Sequence, residues 1–306
     1  MRTSLCLLVK DEENTLEKCL SPIRDLFDDV VVMDTGSTDR TCELLQDCFG
    51  ITPYRGTLEK RFCYGKSDAR NQLLSHVRHP WVLVLDADER ITREHAVRIL
   101  GLEEDDAASG YFCAWKTYIN GMAIEDYKLS LFRRDVRYSG LVHENPQPHV
   151  RGTGTSAAWL NEIAIAHYPE RRKLPAKRTL YKRRLECGLG HDAAWYRYHW
   201  FMGYMCFRSE QVEEAVRYLT AAALARSNRF PVECLNSHML LAHLHASRGD
   251  ARSTTDVLDR ALSFYEQTKD DFEVRVNFRL KPWLDSARQS CCEGELDRIR
   301  IYPFAY

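Results

Sequence analysis

A chain of 306 residues, 44% hydrophobic and 28% charged, is composed to bury a sizeable core, and it is longer than one core usually fills, so two domains are expected. Lysine and arginine number 43 against 44 aspartate and glutamate, which excludes an overall field that would gather the protein on nucleic acid or anionic lipid. No run approaches the ~20 apolar residues that span a bilayer, and the charged Lys10-Asp11-Glu12-Glu13 arrives before a signal-peptide core could form, so a cytoplasmic protein is expected.

The first third carries three short apolar runs: Ser4 to Val9, Val30 to Met33, and Trp81 to Leu85. Continuous rather than alternating apolar character predicts strands buried on both faces, hence a parallel sheet covered by helices. Leu16, Cys19, Leu20 and Ile23 recur at helical spacing, and Thr38-Asp39 is placed to cap a helix carrying Cys42, Leu44, Leu45 and Cys48. The resulting β-α-β-α order implies right-handed crossovers, with ligands bound at the carboxyl ends of the strands, where the acidic residues gather.

From about Gly110 strands are predicted over Tyr111 to Trp115, Leu129 to Phe132, Tyr138 to Val142 and Ile163 to His167. After Pro175 helical periodicity takes over. Gly203, Ala215, Leu219 and Ala222 reappear 39 residues later as Ala242, Thr254, Leu258 and Ala261, with Arg248-Gly249-Asp250 as the turn inside the second helix pair. This predicts a front domain over 1–170, a linker over 171–190 and a helical domain over 191–306. The basic Arg171-Arg172-Lys173, with Lys177 and Arg178, reads as a solvated face, with peripheral contact to phosphate or a membrane surface as its alternative. Eleven cysteines without CxxC spacing fit thiols in a reducing compartment rather than a disulfide framework, the adjacent Cys291 and Cys292 included.

The segment richest in chemistry is Asp86-Ala87-Asp88-Glu89 directly after the third apolar run. Strand alternation would put Asp86 and Asp88 on one side, and two carboxylates at a strand exit suit a hard divalent cation that keeps positions open for phosphates. Three further segments precede it in order: Ser4 to Glu13, Met33-Asp34-Thr35-Gly36-Ser37-Thr38-Asp39-Arg40-Thr41, and Ser67-Asp68-Ala69-Arg70-Asn71. With these four motifs the sequence resembles glycosyltransferase family 2, the inverting enzymes of the GT-A fold, and within it the bacterial branch carrying tetratricopeptide-like helices. The resemblance is strong over the first ninety residues, moderate to about 170 and weak beyond.

That resemblance implies a Rossmann-like α/β domain of GT-A type with a mixed, mainly parallel sheet, followed by an all-α tetratricopeptide-like domain. It implies a nucleotide-sugar donor, uridine diphosphate being the favoured carrier, and manganese or magnesium as cofactor. Asp34 would accept a hydrogen bond from the base, with Val9 and Glu12 lining base and ribose. Arg70 would satisfy ribose or phosphate oxygens, and Lys66 is a further diphosphate contact. Asp88 would bind the metal; Asp86 would join it or contact ribose, and Glu89 would cap the following helix. His167, in a His-Tyr pair ending an apolar strand, would be the late metal ligand. Glu144 is the first choice for the base that deprotonates the acceptor, with Asp126 and His143 as rivals. Trp115 and Tyr118 offer an apolar face to sugar or acceptor. The acceptor would be a lipopolysaccharide-core-like glycan or a peptide, selected by the helical tail, which is otherwise a surface for homodimerisation. Two other classes fit the sequence less well. A nucleotidyltransferase would want a basic Gly-rich loop where Lys10-Asp11-Glu12-Glu13 stands, and an inactive scaffold would have no need of Asp34, Arg70, Asp86 and Asp88 together.

Overall fold

The three apolar runs at the front of the chain form adjacent parallel strands of one sheet. The computed structural model describes all residues except 57–65, 104–106, 120, 143, 147–148, 151–155, 171–173, 193–194, 228 and 303–306, together with the side chains of 174–178. Its strands are β1 (Thr3–Val9), β2 (Val30–Asp34), β3 (Tyr54–Arg55), β4 (Trp81–Leu85), β5 (Glu89–Ile91), β6 (Ala108–Ile119), β7 (Met122–Arg133) and β8 (Ser156–His167). They join one sheet in the order β3-β2-β1-β4-β7-β6-β8-β5. The pairs β1/β2, β1/β4, β2/β3 and β6/β8 are parallel; β4/β7, β6/β7 and β5/β8 are antiparallel. The sheet is therefore mixed, with a parallel front half.

Leu5, Leu7, Leu83 and Leu85 are sealed from solvent against α1 (Leu16–Leu20) and α4 (Arg93–Leu100), whose Leu16, Leu20, Ala96 and Ile99 complete the core. The second crossover helix, α2 (Thr41–Phe49), is capped from outside its first residue: Asp39 Oδ1 accepts from the Thr41 backbone at 3.0 Å. It ends on Gly50 at φ +63°, a conformation that glycine adopts without strain. The cap expected at Thr38-Asp39 thus falls to Asp39.

Two expectations fail for local reasons. Tyr138 to Val142 is not a strand: Gly140 has φ +105°, and the segment turns so that Ser139 and Asn145 bridge each other. Glu89 does not cap the following helix, because Thr92 does, its hydroxyl accepting from the His95 backbone at 3.2 Å. Glu89 is instead fully buried in β5.

The chain divides into two compact units, Met1–Arg178 and a second beginning at Thr179. Over the segment expected as a linker, α5 (Leu174–His191) is helical. The second unit contains α6 (Tyr196–Arg208), α7 (Val212–Leu224), α8 (Pro231–Ser247), α9 (Ala251–Thr268), α10 (Phe272–Val276) and α11 (Leu280–Cys292). Small residues of the 39-residue repeat lie at helix contacts. A Cβ on Gly203 would come within 2.8 Å of Leu219 Cγ, so α6 meets α7 only because residue 203 lacks one. Ala242, Thr254, Leu258 and Ala261 are all solvent-inaccessible, and Asp250 caps α9 through the Ser253 backbone at 3.0 Å. Cys187 is disulfide-bonded, a bond the expectation of reduced thiols did not include, whereas nine of the described cysteines, Cys291 and Cys292 among them, are free. Among the described residues no helix is long and apolar enough to cross a membrane. The basic Arg171-Arg172-Lys173 segment lies outside the described residues, as do the side chains of Lys177 and Arg178.

Candidate active site

The carboxyl ends of β1 and β2 are joined by reciprocal hydrogen bonds between the loops that leave them. Asp11, at φ +53°, accepts from the Thr38 backbone at 2.7 Å while its own N–H donates to Ser37 Oγ at 2.9 Å. The Glu12 N–H donates to Thr41 Oγ1 at 2.8 Å, and the Glu13 N–H to Asp39 Oδ2 at 3.1 Å. The Glu12 carboxylate accepts from Thr15 Oγ1 at 2.7 Å. Val9 is buried, its carbonyl accepting from the Thr35 N–H at 3.0 Å. Asp34, at the end of β2, has no exposed surface. Its carboxylate accepts from the Gly36 and Ser37 backbones, from Ser37 Oγ, and from Arg55 Nη1 at 2.8 Å. Burial alone would raise its proton affinity, but the Ser37 and Gly36 hydrogen bonds and the Arg55 charge outweigh burial and hold it below the usual carboxylate range.

Beyond β4 the backbone turns, the Glu89 N–H donating to the Asp86 carbonyl at 2.9 Å. The strand has ended at Leu85, so alternation no longer governs, and the two aspartates part company. Asp86 Oδ1 accepts from Arg70 Nη2 at 2.8 Å, and Oδ2 from Lys128 Nζ at 3.1 Å. Lys128 also donates to Glu89 Oε1 at 2.5 Å, where Trp115 Nε1 donates at 2.8 Å. Burial opposes ionisation of Asp86, yet Lys128, Arg70 and Lys66 keep it well below the usual range. Glu89, buried and beside the Asp86 charge, is raised despite Lys128.

Arg70 belongs to α3 (Ser67–Leu74), whose polar face holds a distant loop. Ser67 Oγ donates to the Gly140 carbonyl at 2.7 Å, and Asn71 exchanges hydrogen bonds with the Tyr138 backbone at 3.0 and 2.8 Å. Residues i, i+3 and i+4 share one helix face, so Ser67, Arg70 and Asn71 act together. The loop they hold carries Glu144, whose Oε1 accepts from Arg70 Nε at 3.2 Å. Arg70 and Lys66 lower Glu144 against the effect of its burial, and burial pushes Tyr138, which lies under the Arg70 guanidinium, up to about 12. Arg70 Nη1 is buried and has no hydrogen-bond partner among the described residues.

Asp88 faces the other way. Its Oδ2 lies 3.5 Å from His167 Nε2, and its carbonyl accepts from the Tyr168 N–H at 2.8 Å. His167 is fixed on two further sides: Nδ1 is 3.0 Å from Thr117 Oγ1, and its ring stacks on Trp115 with centroids 4.7 Å apart. A histidine tied at Nδ1 presents Nε2, and a carboxylate beside that imidazole nitrogen fits a divalent cation of the manganese type. Among the described residues no cluster of three or more His, Cys, Asp or Glu side chains is disposed around a common metal position. Asp88 and His167 are brought together; Asp86 is turned away from them into the Arg70 and Lys128 cluster. Asp126 stands opposite Trp115 on β7, on the same face as Lys128, and its Oδ1 accepts from the Tyr127 N–H at 2.8 Å. Tyr118 is exposed and stacks on Tyr168 at 5.0 Å. Lys66 stands at the entrance to α3, and His143 lies outside the described residues.

Sequence reasoning missed Arg55, Lys128 and Thr117. Lys128 had a usable signal, a lone cation abutting Leu129-Ser130-Leu131-Phe132, since a lysine entering a buried strand needs an acid. Arg55 had none, because β3 is two residues long and exposed.

The model of glycosyl transferase family 2 matches residues 4–164, just over half of the chain, and the chain belongs to that family. It is 31% identical over 147 residues to a TPR repeat-containing protein of Synechococcus elongatus, a match covering 47% of this chain and 35% of that one. It is 26% identical over 148 residues to the SPbeta prophage-derived glycosyltransferase SunS of Bacillus subtilis, covering 46% of this chain and 33% of SunS. The chain thus matches about a third of the length of these curated relatives. Among solved structures, residues 1–349 of S. aureus TarS in complex with UDP-GlcNAc align over 97% of this chain and 90% of that one, with a TM-score of 0.50 and 13% identity, a likeness of fold. The front unit is a GT-A domain.

Proposed function

We propose that this protein transfers a sugar from a nucleoside-diphosphate sugar to a glycan or peptide acceptor, with inversion at the anomeric carbon and with a divalent cation as cofactor. The observation that carries the reading is the Asp88–His167 pair, which follows β4 and ends β8 in a family 2 domain, with Asp86, two residues before Asp88, held by the Arg70 and Lys128 cations. Asp88 and His167 would hold manganese or magnesium, with diphosphate oxygens completing its shell. Bound there, the cation would supply charge neutralisation for the leaving nucleotide. TarS, which shares the fold, was crystallised with UDP-GlcNAc, a reason to begin with uridine nucleotides.

The chain's own residues divide the remaining work. Arg70 is oriented by Asp86 and Glu144, which leaves buried Nη1 to donate to a phosphate or ribose oxygen; a buried donor gains most from a charged acceptor. Lys128 neutralises Asp86 and Glu89, so the acids near the leaving group do not repel it. Trp115 and Tyr118 offer ring faces to the sugar or acceptor. Inversion requires a base on the side opposite the departing diphosphate. Glu144 is the first candidate, and its pairing with Arg70 keeps it ionised at the expense of basicity; Asp126, opposite Trp115, is the second. Single-turnover rates separate them: the base is whichever of Glu144→Gln and Asp126→Asn abolishes transfer while leaving donor affinity intact. The helical unit would select the acceptor, stacked helix pairs being suited to extended chains.

Thermal melting with UDP-, GDP- and dTDP-sugars, with and without manganese, tests the reading. Manganese-dependent stabilisation by one nucleotide series, lost in Asp88→Ala, supports it. Well-folded protein stabilised by none of them would refute it.

A further inference from the structure

We infer that one face of α8 in the helical unit is a peptide-binding groove, and that residues 299–302 of this chain lie in it as a tethered occupant that a peptide of like pattern displaces. This concerns the helical unit alone and stands apart from the donor site. The chain makes a turn of 3-10 helix over Leu296–Arg298 and then runs without regular structure against α8 and α11.

The helices hold this segment by its backbone. His243 Nδ1 donates to the Ile299 carbonyl at 2.8 Å, and Trp283 Nε1 donates to the Arg300 carbonyl at 2.7 Å. The Phe207 ring meets the His243 ring edge-on at 6.0 Å and restrains the imidazole. Three residues further on, the Tyr302 hydroxyl lies 3.4 Å from Asn236 Oδ1. Asn236 and His243 stand two turns apart on one face of α8, a rise of ~10.5 Å, and three residues of extended chain cover ~10 Å. The segment therefore lies along α8 and runs opposite to it.

Side chains add an anchor. Ile299 is 2% exposed and packs with Leu258 and with Ala242, Ala246 and Ala287, whose small side chains leave room for a branched one from another segment. Ile301 and Tyr302 are half-buried against the cluster that holds Phe230 and Leu235. A strap that served packing alone would close the groove at interior density. Instead a cleft of about 200 Å³ remains between the segment and His243 and Ser247 of α8. Main-chain hydrogen bonds supply affinity for any extended peptide, and the socket supplies selection. The pattern written by Ile299-Arg300-Ile301-Tyr302 is an aliphatic anchor, an unselected residue, a second aliphatic residue and an aromatic one. Tethering gives the chain's own segment an effective concentration on the order of millimolar, so a free peptide of the same sequence competes poorly in the wild type.

Fluorescence anisotropy of a labelled peptide spanning residues 295–302, titrated with the full chain, tests this. Ile299→Ala withdraws the tethered anchor while the peptide keeps its own, so the variant should bind the peptide at least about tenfold tighter than wild type. His243→Ala added to Ile299→Ala removes a main-chain bond made to either occupant, and should cut that gain by about three- to tenfold. If Ile299→Ala does not fold, hydrogen exchange in the wild type decides. Millimolar peptide should then speed exchange over 296–302 while the rest of the helical unit stays protected. Equal binding by wild type and folded Ile299→Ala, or binding by neither, overturns the inference, as does exchange of the segment that excess peptide leaves unchanged.

Discussion

The two units bury their charges in opposite ways. In the GT-A unit three acids and two cations share one cluster: Arg70 serves Asp86 and Glu144, Lys128 serves Asp86 and Glu89, and Arg70 Nη1 is left over. In the helical unit Arg197 Nε donates to both oxygens of Glu233 at 2.9 Å beneath the Phe230 ring. The shared cluster lowers Asp86 and Glu144 while Glu89 is raised, and among the described residues Arg70 Nη1 is left without a partner.

The sharpest way to break that comparison is Asp88→Ala. On the proposed reading, in which Asp88 holds the cation, it should lower transfer on the order of a thousandfold while leaving the melting temperature without ligand nearly unchanged. Thr117→Val, which frees His167 to turn, should weaken manganese binding by about ten- to a hundredfold, read by titration of the metal alone. In the helical unit the balance reverses. Arg197→Ala leaves Glu233 buried without its counter-charge and should cost about 3–5 kcal/mol in urea unfolding.

The pH dependences should oppose each other as well. Asp34, Asp86 and Glu144 are lowered in the folded chain, so the folded state binds fewer protons there, and the stability they confer is lost as pH falls through the acid range. Glu233 is raised from 4.5 to about 7, burial outweighing Arg197, so the folded state binds more protons. Its contribution is complete below 4.5 and declines as pH rises through 7, by on the order of 3 kcal/mol. Hydrogen exchange between pH 4 and 8, resolved by peptide, should show helical-unit protection falling with rising pH, and Glu233→Gln should flatten that trend.

A smaller effect concerns how β3 meets β2. A Cβ on Gly56 would lie 2.5 Å from Met33 Sδ, so Gly56→Ala must displace the buried Met33 side chain and should cost about 1 kcal/mol, measured by urea unfolding.

The sequence was most legible where physics is local. Continuous apolar runs marked β1, β2 and β4, because a strand covered on both faces leaves no polar position. It was least legible where a partner comes from far along the chain. Asp86-Ala87-Asp88 suggested two carboxylates on one side, but alternation ends with the strand, and Arg70, Lys128 and His167 then draw the two acids apart. Tyr138 to Val142 looked like a strand because Tyr138, Leu141 and Val142 are apolar and β-forming or bulky; Gly140 and the polar face of α3 decided otherwise.

That α3 face has a consequence for synthesis. Its partners lie 67 to 74 residues downstream, and the partner of Asp88 lies further still, at His167. A nascent chain that has exposed only its first hundred residues therefore carries every N-terminal motif and an unfinished cluster, with Arg70 lacking Glu144 and Asp88 lacking its imidazole. At ribosomal speeds of about 5–20 residues per second the interval lasts several seconds. During it the growing chain has neither the finished charge cluster nor the contacts that fix the loop, so the cluster cannot close until the whole front unit has emerged.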